Sequence, residues 1–383
     1  MKRIAVLGCT GSIGRQVLEV VQRHPSELRV AALAADTNHA QVAEQAREFD
    51  PGRLAMYDPA AAERLSQALQ RPVASEMQGL VDLVSDPDVD VVVVSVSGMI
   101  GLEPTLAAVA AGKQIALASK EVLVAGGAVV MPRVREAGIK FMPIDSEHSA
   151  ILQCLQETPR KYVDRVYLTA SGGPFRGWSR EAMENVTAEQ ALNHPTWRMG
   201  GKITVDSATM MNKGLEIIEA CWLFDIEPEK IEVIVHPQSI IHSMVKFNDG
   251  SVLAQMGHPD MKLPIQYALL GPERLPSPTK PWEPTCTPNL SFEPLDGQVF
   301  NCPDLAREAF RRGGVAPTFL NAVNEEAANA FLRGELRFLD IFRLNEESLD
   351  AAPKAEPTLE NILSTDSNAR VWARERFKKL SPA

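Results

Sequence analysis

The sequence predicts an α/β fold followed by an α+β fold and a helical carboxy-terminal bundle. Three observations carry that reading. Short apolar runs alternate with amphipathic stretches through the first 144 residues, an Asn-Asp-Gly turn joins two strand-like runs near residue 249, and apolar residues recur at helical spacing from 304 onward. Alternating strand and helix patterns specify a parallel sheet wrapped by helices, whereas a tight hairpin requires antiparallel pairing.

The first apolar run, Ile4 to Leu7, is too short for the hydrophobic region of a signal peptide and leads straight into glycines, so it reads as a strand. Runs at Val30 to Ala34, Leu54 to Met56, Val91 to Val96, Ile115 to Ala118 and Phe141 to Ile144 repeat the pattern. Between them, Ile13, Val17 and Val20, then Val42, Ala46 and Phe49, are spaced to line the inner faces of helices. Residues 1–144 therefore read as a first domain. In 145–271 glycine-rich loops appear, with strands expected near 163–170 and 231–236 and a long helix from about 207 to 224. There, Asn248, Asp249 and Gly250 connect HSMVKF to SVLAQM as a hairpin, so this is an α+β domain with a mixed or antiparallel sheet. Residues 272–295 hold seven prolines between Pro272 and Pro294, which excludes a regular helix or central strand and predicts an extended connector. Residues 296–383 read as a helical domain with Phe310, Phe319, Val323, Phe331, Leu349, Trp372 and Phe377 in its core.

The hydrophobic fraction of 45% is that of a globular protein, and 383 residues exceed what one core organises. A net charge of −10 argues against nucleic acid as a partner; an anionic substrate has to be held by local Lys, Arg and helix termini against the overall field. No run approaches the roughly 20 apolar residues that span a bilayer. The five cysteines, at 9, 154, 221, 286 and 302, form an odd set without a C-x-x-C pair. Neither a disulfide framework nor a zinc knuckle is expected, and a reducing cytoplasm is the simple inference.

Gly8-Cys9-Thr10-Gly11-Ser12-Ile13-Gly14 follows the first strand and opens the first helix. Glycines there allow a tight turn and close approach of a pyrophosphate, while the helix amino terminus offers free N–H groups and partial positive charge. Thr10 and Ser12 add hydroxyl donors. With the alternation that follows, the loop identifies a Rossmann-like dinucleotide-binding domain. Asp36 lies at the end of the second strand, 22 residues after Gly14, and fits equally an acid on the adenine ribose and a turn or cap residue.

Asp145-Ser146-Glu147-His148 closes the last apolar run of the first domain. On extended chain an i, i+2 pair points to one side, so one hard cation can use both carboxylates, although acidic strand ends also serve as solvated turns. The segment from Lys202 to Glu216 supplies a third acid: on a helix Asn212, Lys213 and Glu216 share a face, beside a core stripe of Met211, Leu215, Ile218 and Trp222. Ser207, near the start of that helix, is either a cap or, with Asn212 and Lys213, part of a phosphate cradle. Ser171-Gly172-Gly173-Pro174-Phe175 is either a second loop where backbone and hydroxyl approach an anion or only a turn. His194-Pro-Thr-Trp-Arg-Met-Gly-Gly201 combines a potential acid or donor, an indole and a glycine pair, the composition of a mobile lid or of a solvent loop.

Taken together, GCTGSIG, ALASKE, PIDSEHSAI, ASGGPFR, HPTWRMGGKITVDSATMMNKGLE and HPQSIIHSMV resemble the 1-deoxy-D-xylulose 5-phosphate reductoisomerases of the non-mevalonate isoprenoid pathway. The likeness runs through essentially the whole chain. IDSEH and DSATMMNKGLE are its specific strings, whereas the glycine loop is shared with many dehydrogenases. The resemblance implies a homodimer using NADPH and Mg²⁺ or Mn²⁺, with Asp145, Glu147 and Glu216 as metal ligands. It further implies that Ser171, Ser207, Asn212 and Lys213 hold the substrate phosphate and that Ser146, Lys120 and His194 contact the substrate backbone. Trp197 and Met199 would belong to the lid. The cofactor positions on this likeness are Gly8, Thr10, Gly11, Ser12, Ile13, Gly14, Asp36, Asn38, Lys120, Glu121, Met199 and Gly200, and the catalytic set is Lys120, Asp145, Glu147, His194 and Glu216. Without the likeness Lys120 reads as a surface charge, and His236 and His242 as structural, though His242 matches a position near the site.

The implied reaction is a metal-dependent rearrangement of 1-deoxy-D-xylulose 5-phosphate and its reduction to 2-C-methyl-D-erythritol 4-phosphate. One segment departs from the family pattern: Ala35-Asp36-Thr37-Asn38 stands where Ala-Gly-Lys-Asn is usual, so a lysine suited to a 2′-phosphate is replaced by threonine beside a carboxylate. NADH use is therefore expected beside NADPH. Two other readings of the glycine loop, a metal-independent semialdehyde or hydroxyacid dehydrogenase and a non-catalytic dinucleotide sensor, leave the carboxylates and the cradle unexplained.

Overall fold

The computed structural model describes residues 1–287 and 289–380; Pro288 of the proline-rich segment and residues 381–383 lie outside the described residues. The chain begins with β1 (Lys2–Leu7), α1 (Ser12–Arg23), β2 (Leu28–Ala35), α2 (His39–Phe49), β3 (Arg53–Met56), α3 (Pro59–Leu69), β4 (Ala74–Ser75), α4 (Glu76–Ser85), β5 (Val91–Val94), α5 (Leu102–Ala110), β6 (Gln114–Leu117), α6 (Glu121–Ala137) and β7 (Phe141–Pro143). It continues through α7 (Ser146–Leu155), β8 (Val163–Ala170), α8 (Ala188–Leu192), α9 (Gly201–Ala208), α10 (Met211–Phe224), β9 (Ile231–Val235), β10 (Ile241–Phe247), β11 (Val252–Met256) and α11 (Lys262–Leu270). The short β12 (Glu293–Pro294) then precedes α12 (Cys302–Arg312), α13 (Ala316–Leu332), α14 (Phe338–Ala351) and α15 (Leu359–Phe377). These elements group into two compact units, each discontinuous in sequence: one from Met1–Val122, Val130–Ser149 and Asp260–Lys280, the other from Leu123–Val129, Ala150–Pro259 and the described residues from Pro281 onward.

In the first unit seven strands lie in the order β4-β3-β2-β1-β5-β6-β7, and every pair is parallel. The chain builds outward from β1 to β4, then restarts at β5 on the other side of β1. This reversal leaves the carboxyl ends of β1 and β5 side by side, the place where doubly wound sheets bind ligands. β2 and β5 are buried along almost their whole length, which is why they read as continuous apolar runs instead of alternating ones. Ile4, Val6, Val17 and Val93 share this core with Ile265 and Leu269 of α11. β4 is two residues long and has no apolar run to announce it.

The second unit holds a mixed sheet in the order β11-β10-β8-β9-β12, with β8 and β9 parallel and β10 antiparallel to both β8 and β11. Gly250, at φ +88°, supplies the left-handed position that the Asn-Asp-Gly hairpin requires. β12 lies within the proline-rich segment, at a sheet edge where proline removes no interior ladder bond. The expected core residues of the tail join one core with α10: Phe319, Val323, Phe331 and Leu349 are buried, and Phe310, Trp372 and Phe377 pack against them. At its centre Phe338 meets the rings of Phe175, Phe331 and Phe342 at 5.0, 5.5 and 5.7 Å between centroids. Among the described residues no helix is long and apolar enough to cross a membrane.

Two sequence expectations are corrected. The helix expected from about 207 to 224 is two helices, because Met210 adopts φ +62° between the end of α9 and the start of α10. A left-handed residue interrupts the helical ladder, so Ser207 lies in the last turn of one helix and not at the start of another. Nor are Asp145 and Glu147 on extended chain: the Ser149 N–H donates to the Asp145 carbonyl at 2.9 Å, and α7 begins at Ser146. A helix start orients both carboxylates.

Phe338→Ala is expected to lower unfolding free energy by about 3–5 kcal/mol in denaturant titration, the range for removing a buried aromatic ring. A loss below about 1 kcal/mol would mean that this ring cluster is not the core of its unit.

Candidate active site

The glycine loop is built by close backbone approach. Gly8 has φ +82°, and a Cβ there would sit 2.3 Å from the Ser95 carbonyl oxygen; one at Gly14 would sit 2.2 Å from the carbonyl oxygen of Gly8. Only glycine fits either position. The Gly11 N–H returns to the Gly8 carbonyl at 3.0 Å, and α1 starts at Ser12 with no side-chain cap, which leaves its first-turn amides for an anion. Thr10 and Ile13 are half-buried and Ser12 is exposed at this end. Asp36 is exposed just past β2. Asn38 caps α2: its Oδ1 accepts the Gln41 N–H at 3.3 Å and its Nδ2 donates to Gln41 Oε1 at 3.0 Å.

Lys120 is not the surface charge that its residue type suggests. It is buried at the end of β6, just before Glu121 opens α6, with Nζ 2.6 Å from Asp145 Oδ2. A buried ammonium requires such a counter-charge. At the start of α7 the Ser146 hydroxyl donates to Glu147 Oε2, and the fully buried His148 has Nδ1 3.9 Å from Asp145 Oδ1.

In the second unit, Ser171 leaves the carboxyl end of β8 and is followed by Gly172 and Gly173 at φ +89° and +67°. A Cβ at Gly173 would meet the Ser207 carbonyl oxygen at 2.7 Å, so glycine lets this loop close on the last turn of α9. His194 joins the two segments: Nε2 lies 3.0 Å from Ser171 Oγ and 3.2 Å from Ser207 Oγ. Its Nδ1 accepts the N–H groups of Thr196 at 3.2 Å and Trp197 at 2.9 Å. Two donors on Nδ1 select the neutral tautomer that carries its proton on Nε2. Burial, with help from the Lys213 charge, pushes the His194 pKa down to about 4. In this setting the His194 imidazole is neutral and presents its Nε2–H toward the two serine hydroxyls.

On α10 the spacing works as expected. Lys213 Nζ donates to Glu216 Oε2 at 2.6 Å and Asn212 Nδ2 to Glu216 Oε1, while Glu216 is 1% exposed. Met211, Leu215 and Ile218 are buried, and Trp222 packs edge-on against Phe310 at 5.3 Å. Trp197 and Met199 are half-buried, Gly200 precedes the first turn of α9, and the Trp197 ring lies 6.4 Å from that of the buried His242. His236 is structural, with Nδ1 2.8 Å from the Ser291 carbonyl and Nε2 accepting the Ile240 N–H at 3.2 Å.

Sequence reasoning missed a buried polar chain behind Ser207. Asp206 pairs with Lys202 at 2.8 Å and accepts from Asn324 Nδ2 at 2.7 Å; Asn324 in turn accepts from Asn345 Nδ2 at 3.0 Å. The available signal was polar residues, Asn324 and Asn345, on otherwise buried faces of α13 and α14.

The fold and its polar clusters define a dinucleotide-binding α/β protein with a second, α+β unit whose hydroxyls, neutral imidazole and buried lysine suit an anionic, oxygen-rich ligand. Comparison with known proteins narrows this. Residues 4–127 match the family described as 1-deoxy-D-xylulose 5-phosphate reductoisomerase, residues 141–224 that enzyme's C-terminal domain, and residues 256–372 the DXP reductoisomerase C-terminal domain. The chain is 52% identical to the 1-deoxy-D-xylulose 5-phosphate reductoisomerase of Heliobacterium modesticaldum over 98% of its own length and 97% of that protein's, and 48% identical to the Protochlamydia amoebophila enzyme over all of both chains. Among solved structures it resembles the Zymomonas mobilis reductoisomerase in complex with NADPH, with TM-score 0.93, 42% identity and 99% and 100% of the two chains covered. It also resembles a DOX-P reductoisomerase in complex with NADPH, fosmidomycin and magnesium, with TM-score 0.94, 39% identity and 99% and 98% covered. The chain belongs to the 1-deoxy-D-xylulose 5-phosphate reductoisomerase family.

The histidines generate a pH prediction. Burial holds both His194 and His242 at about 4, below the ordinary value of 6.5. Between these values the unfolded chain binds protons that the folded chain refuses, so stability is retained above about 6.5 and falls as pH drops toward 4. Calorimetric melting at pH 7 and pH 5 should show the lower Tm at pH 5, and His194→Asn should flatten the difference. A pH dependence unchanged by that substitution would contradict a neutral, half-buried imidazole at 194.

Proposed function

We propose that the protein converts 1-deoxy-D-xylulose 5-phosphate to 2-C-methyl-D-erythritol 4-phosphate in isoprenoid precursor synthesis, by a metal-dependent rearrangement followed by reduction with NADPH. The observation that carries this reading is the Ser171–His194–Ser207 donor cluster, together with the Lys213–Glu216 pair on the adjoining α10. Identity along the full length of reductoisomerases supports it and leaves no feature that favours a metal-free dehydrogenase or a sensor.

Asp145, Glu147 and Glu216 each offer a carboxylate oxygen, a donor set that suits Mg²⁺ or Mn²⁺. The open first turn of α1 and the obligatory glycines suit a pyrophosphate. When bound, the cation polarises a substrate carbonyl and the nicotinamide supplies hydride. The hydroxyls of Ser171 and Ser207, the Asn212 amide and the Lys213 ammonium bind and orient the phosphate, and the His194 Nε2–H beside the two serines donates to the substrate backbone. Lys120 and Ser146 donate to substrate oxygens and hold the carbon chain for reaction. Residues 194–201 close over the substrate, where Trp197 and Met199 exclude water and Gly200 approaches the cofactor. In this scheme 1–144 serves the cofactor, with Gly8, Thr10, Gly11, Ser12, Ile13, Gly14, Asp36, Asn38 and Glu121 along its site, and 145–271 serves catalysis. The enzyme acts as a cytoplasmic homodimer; edge strand β11, with Val252, Leu253 and Met256 exposed, supports pairing because apolar sheet edges are rarely left uncovered.

Incubation with 1-deoxy-D-xylulose 5-phosphate, NADPH and Mg²⁺ should yield 2-C-methyl-D-erythritol 4-phosphate by product identification; cofactor binding without turnover would refute the assignment. Glu216→Gln should nearly abolish turnover while leaving NADPH affinity intact, and near-normal activity at moderate Mg²⁺ would remove Glu216 from the metal site. Lys213→Ala should chiefly raise KM, by the equivalent of about 2–3 kcal/mol for a lost buried charged hydrogen bond. A fall in kcat with unchanged KM would exclude a phosphate-binding role.

A further inference from the structure

We propose that Asp36 reads the adenine ribose through its 2′-hydroxyl, so that this protein binds NADH with an affinity comparable to that for NADPH. The inference rests on the dinucleotide reading of the Gly8–Gly14 loop and deepens it. β2 lies directly beside β1, and Asp36 is the first residue past its carboxyl end, exposed on the side of the sheet where the glycine loop opens. In doubly wound sheets an acid at this position hydrogen-bonds a ribose diol, whereas a 2′-phosphate is accommodated by a nearby arginine.

The surroundings favour the diol. Residues 35–41 contain neither Lys nor Arg. Asn38 has both ends of its amide committed to Gln41, so it can reach a phosphate only by giving up the α2 cap. A second carboxylate stands close by: the Asp58 N–H donates to the Asp36 carbonyl at 3.3 Å, and the Asp58 side chain accepts the Ala61 N–H at 2.6 Å. Of the cations on neighbouring elements, Arg64 lies 3.7 Å from Asp58, and Arg15 Nη1 donates to the Thr10 carbonyl at 3.3 Å. A 2′-phosphate therefore meets one exposed carboxylate directly and has to draw Arg64 or Arg15 from an existing partner. A 2′-hydroxyl instead donates to Asp36 at no such cost. Because both arginines are long and largely exposed, they can still be recruited, which keeps NADPH as a ligand.

The test is equilibrium titration of the full chain with NADH and with NADPH, without sugar phosphate, followed by dihydronicotinamide fluorescence and by calorimetry. The two Kd values should lie within about tenfold of each other, and Asp36→Gly should shift their ratio toward NADPH by about tenfold or more. Asp36→Asn, which keeps the side-chain shape and removes only the charge, should move the ratio the same way. Thr37→Lys added to Asp36→Gly should move it further. A wild-type preference for NADPH beyond about tenfold, or a ratio that neither Asp36 variant moves, overturns the proposal. Binding of neither dinucleotide overturns the cofactor reading of the loop itself.

Discussion

Charge can be buried only beside compensating charge, and each unit holds an ammonium–carboxylate pair largely out of water: Lys120 with Asp145, and Lys213 with Glu216, both at 2.6 Å. Removing one member of such a pair typically costs about 3–5 kcal/mol, because the survivor is left uncompensated away from water. The neighbouring structure follows from that requirement. Lys213 and Glu216 meet because α10 places positions three apart on one face, and Lys120 meets Asp145 because β6 and β7 are neighbours in the parallel sheet. On the proposed function the second pair would couple the ligands: a cation held by Glu216 would supply the counter-charge that Lys213 now supplies and would leave the ammonium for the phosphate. Cation and phosphate would then favour each other's binding, and such coupling is reciprocal.

Around these charges the chain uses small residues to bring rigid parts together. Gly173 admits the carbonyl of Ser207, and Gly127 lies where a Cβ would meet the Trp222 ring at 2.3 Å, so α10 is held by its apolar side while its polar side carries the buried lysine and glutamate. The backbone N–H groups of Thr196 and Trp197 fix the His194 ring, which makes the imidazole a preset donor toward Ser171 and Ser207. Preset donors lose little on binding and are worth more than mobile ones. Behind Ser207, the Asp206–Asn324–Asn345 chain ties α9 to the helical tail, so part of the precision of the site comes from residues more than a hundred positions away in sequence.

Periodic patterns carried most of the architecture. The parallel sheet was legible because β1, β2, β3, β5, β6 and β7 each contain a short continuous apolar run, and the β10–β11 hairpin because Asn-Asp-Gly has one strong conformational meaning. Two-residue β4 carries no such run. The break at Met210 was hidden, since methionine is not a residue that marks a left-handed turn. The helical setting of Asp145 and Glu147 had a signal in Ala150, Ile151 and Leu155, buried at helical spacing just beyond them. The lysine at 120 illustrates the limit of composition: its burial follows from the strand that precedes it, and only the likeness of SKE to a family pointed there. A reading that runs along the chain also cannot produce units that interleave, as Leu123–Val129 and Asp260–Lys280 do.

The central claim is that Asp145, Glu147 and Glu216 hold one divalent cation for catalysis. The most direct test is a crystal of the full chain grown with Mn²⁺ and a phosphonate analogue of the substrate, with data collected at the manganese absorption edge. A single strong anomalous peak should appear with oxygens of all three carboxylates in its coordination sphere. A peak ligated by other residues, or one that leaves Glu216 paired only with Lys213 and Asn212, would contradict the account.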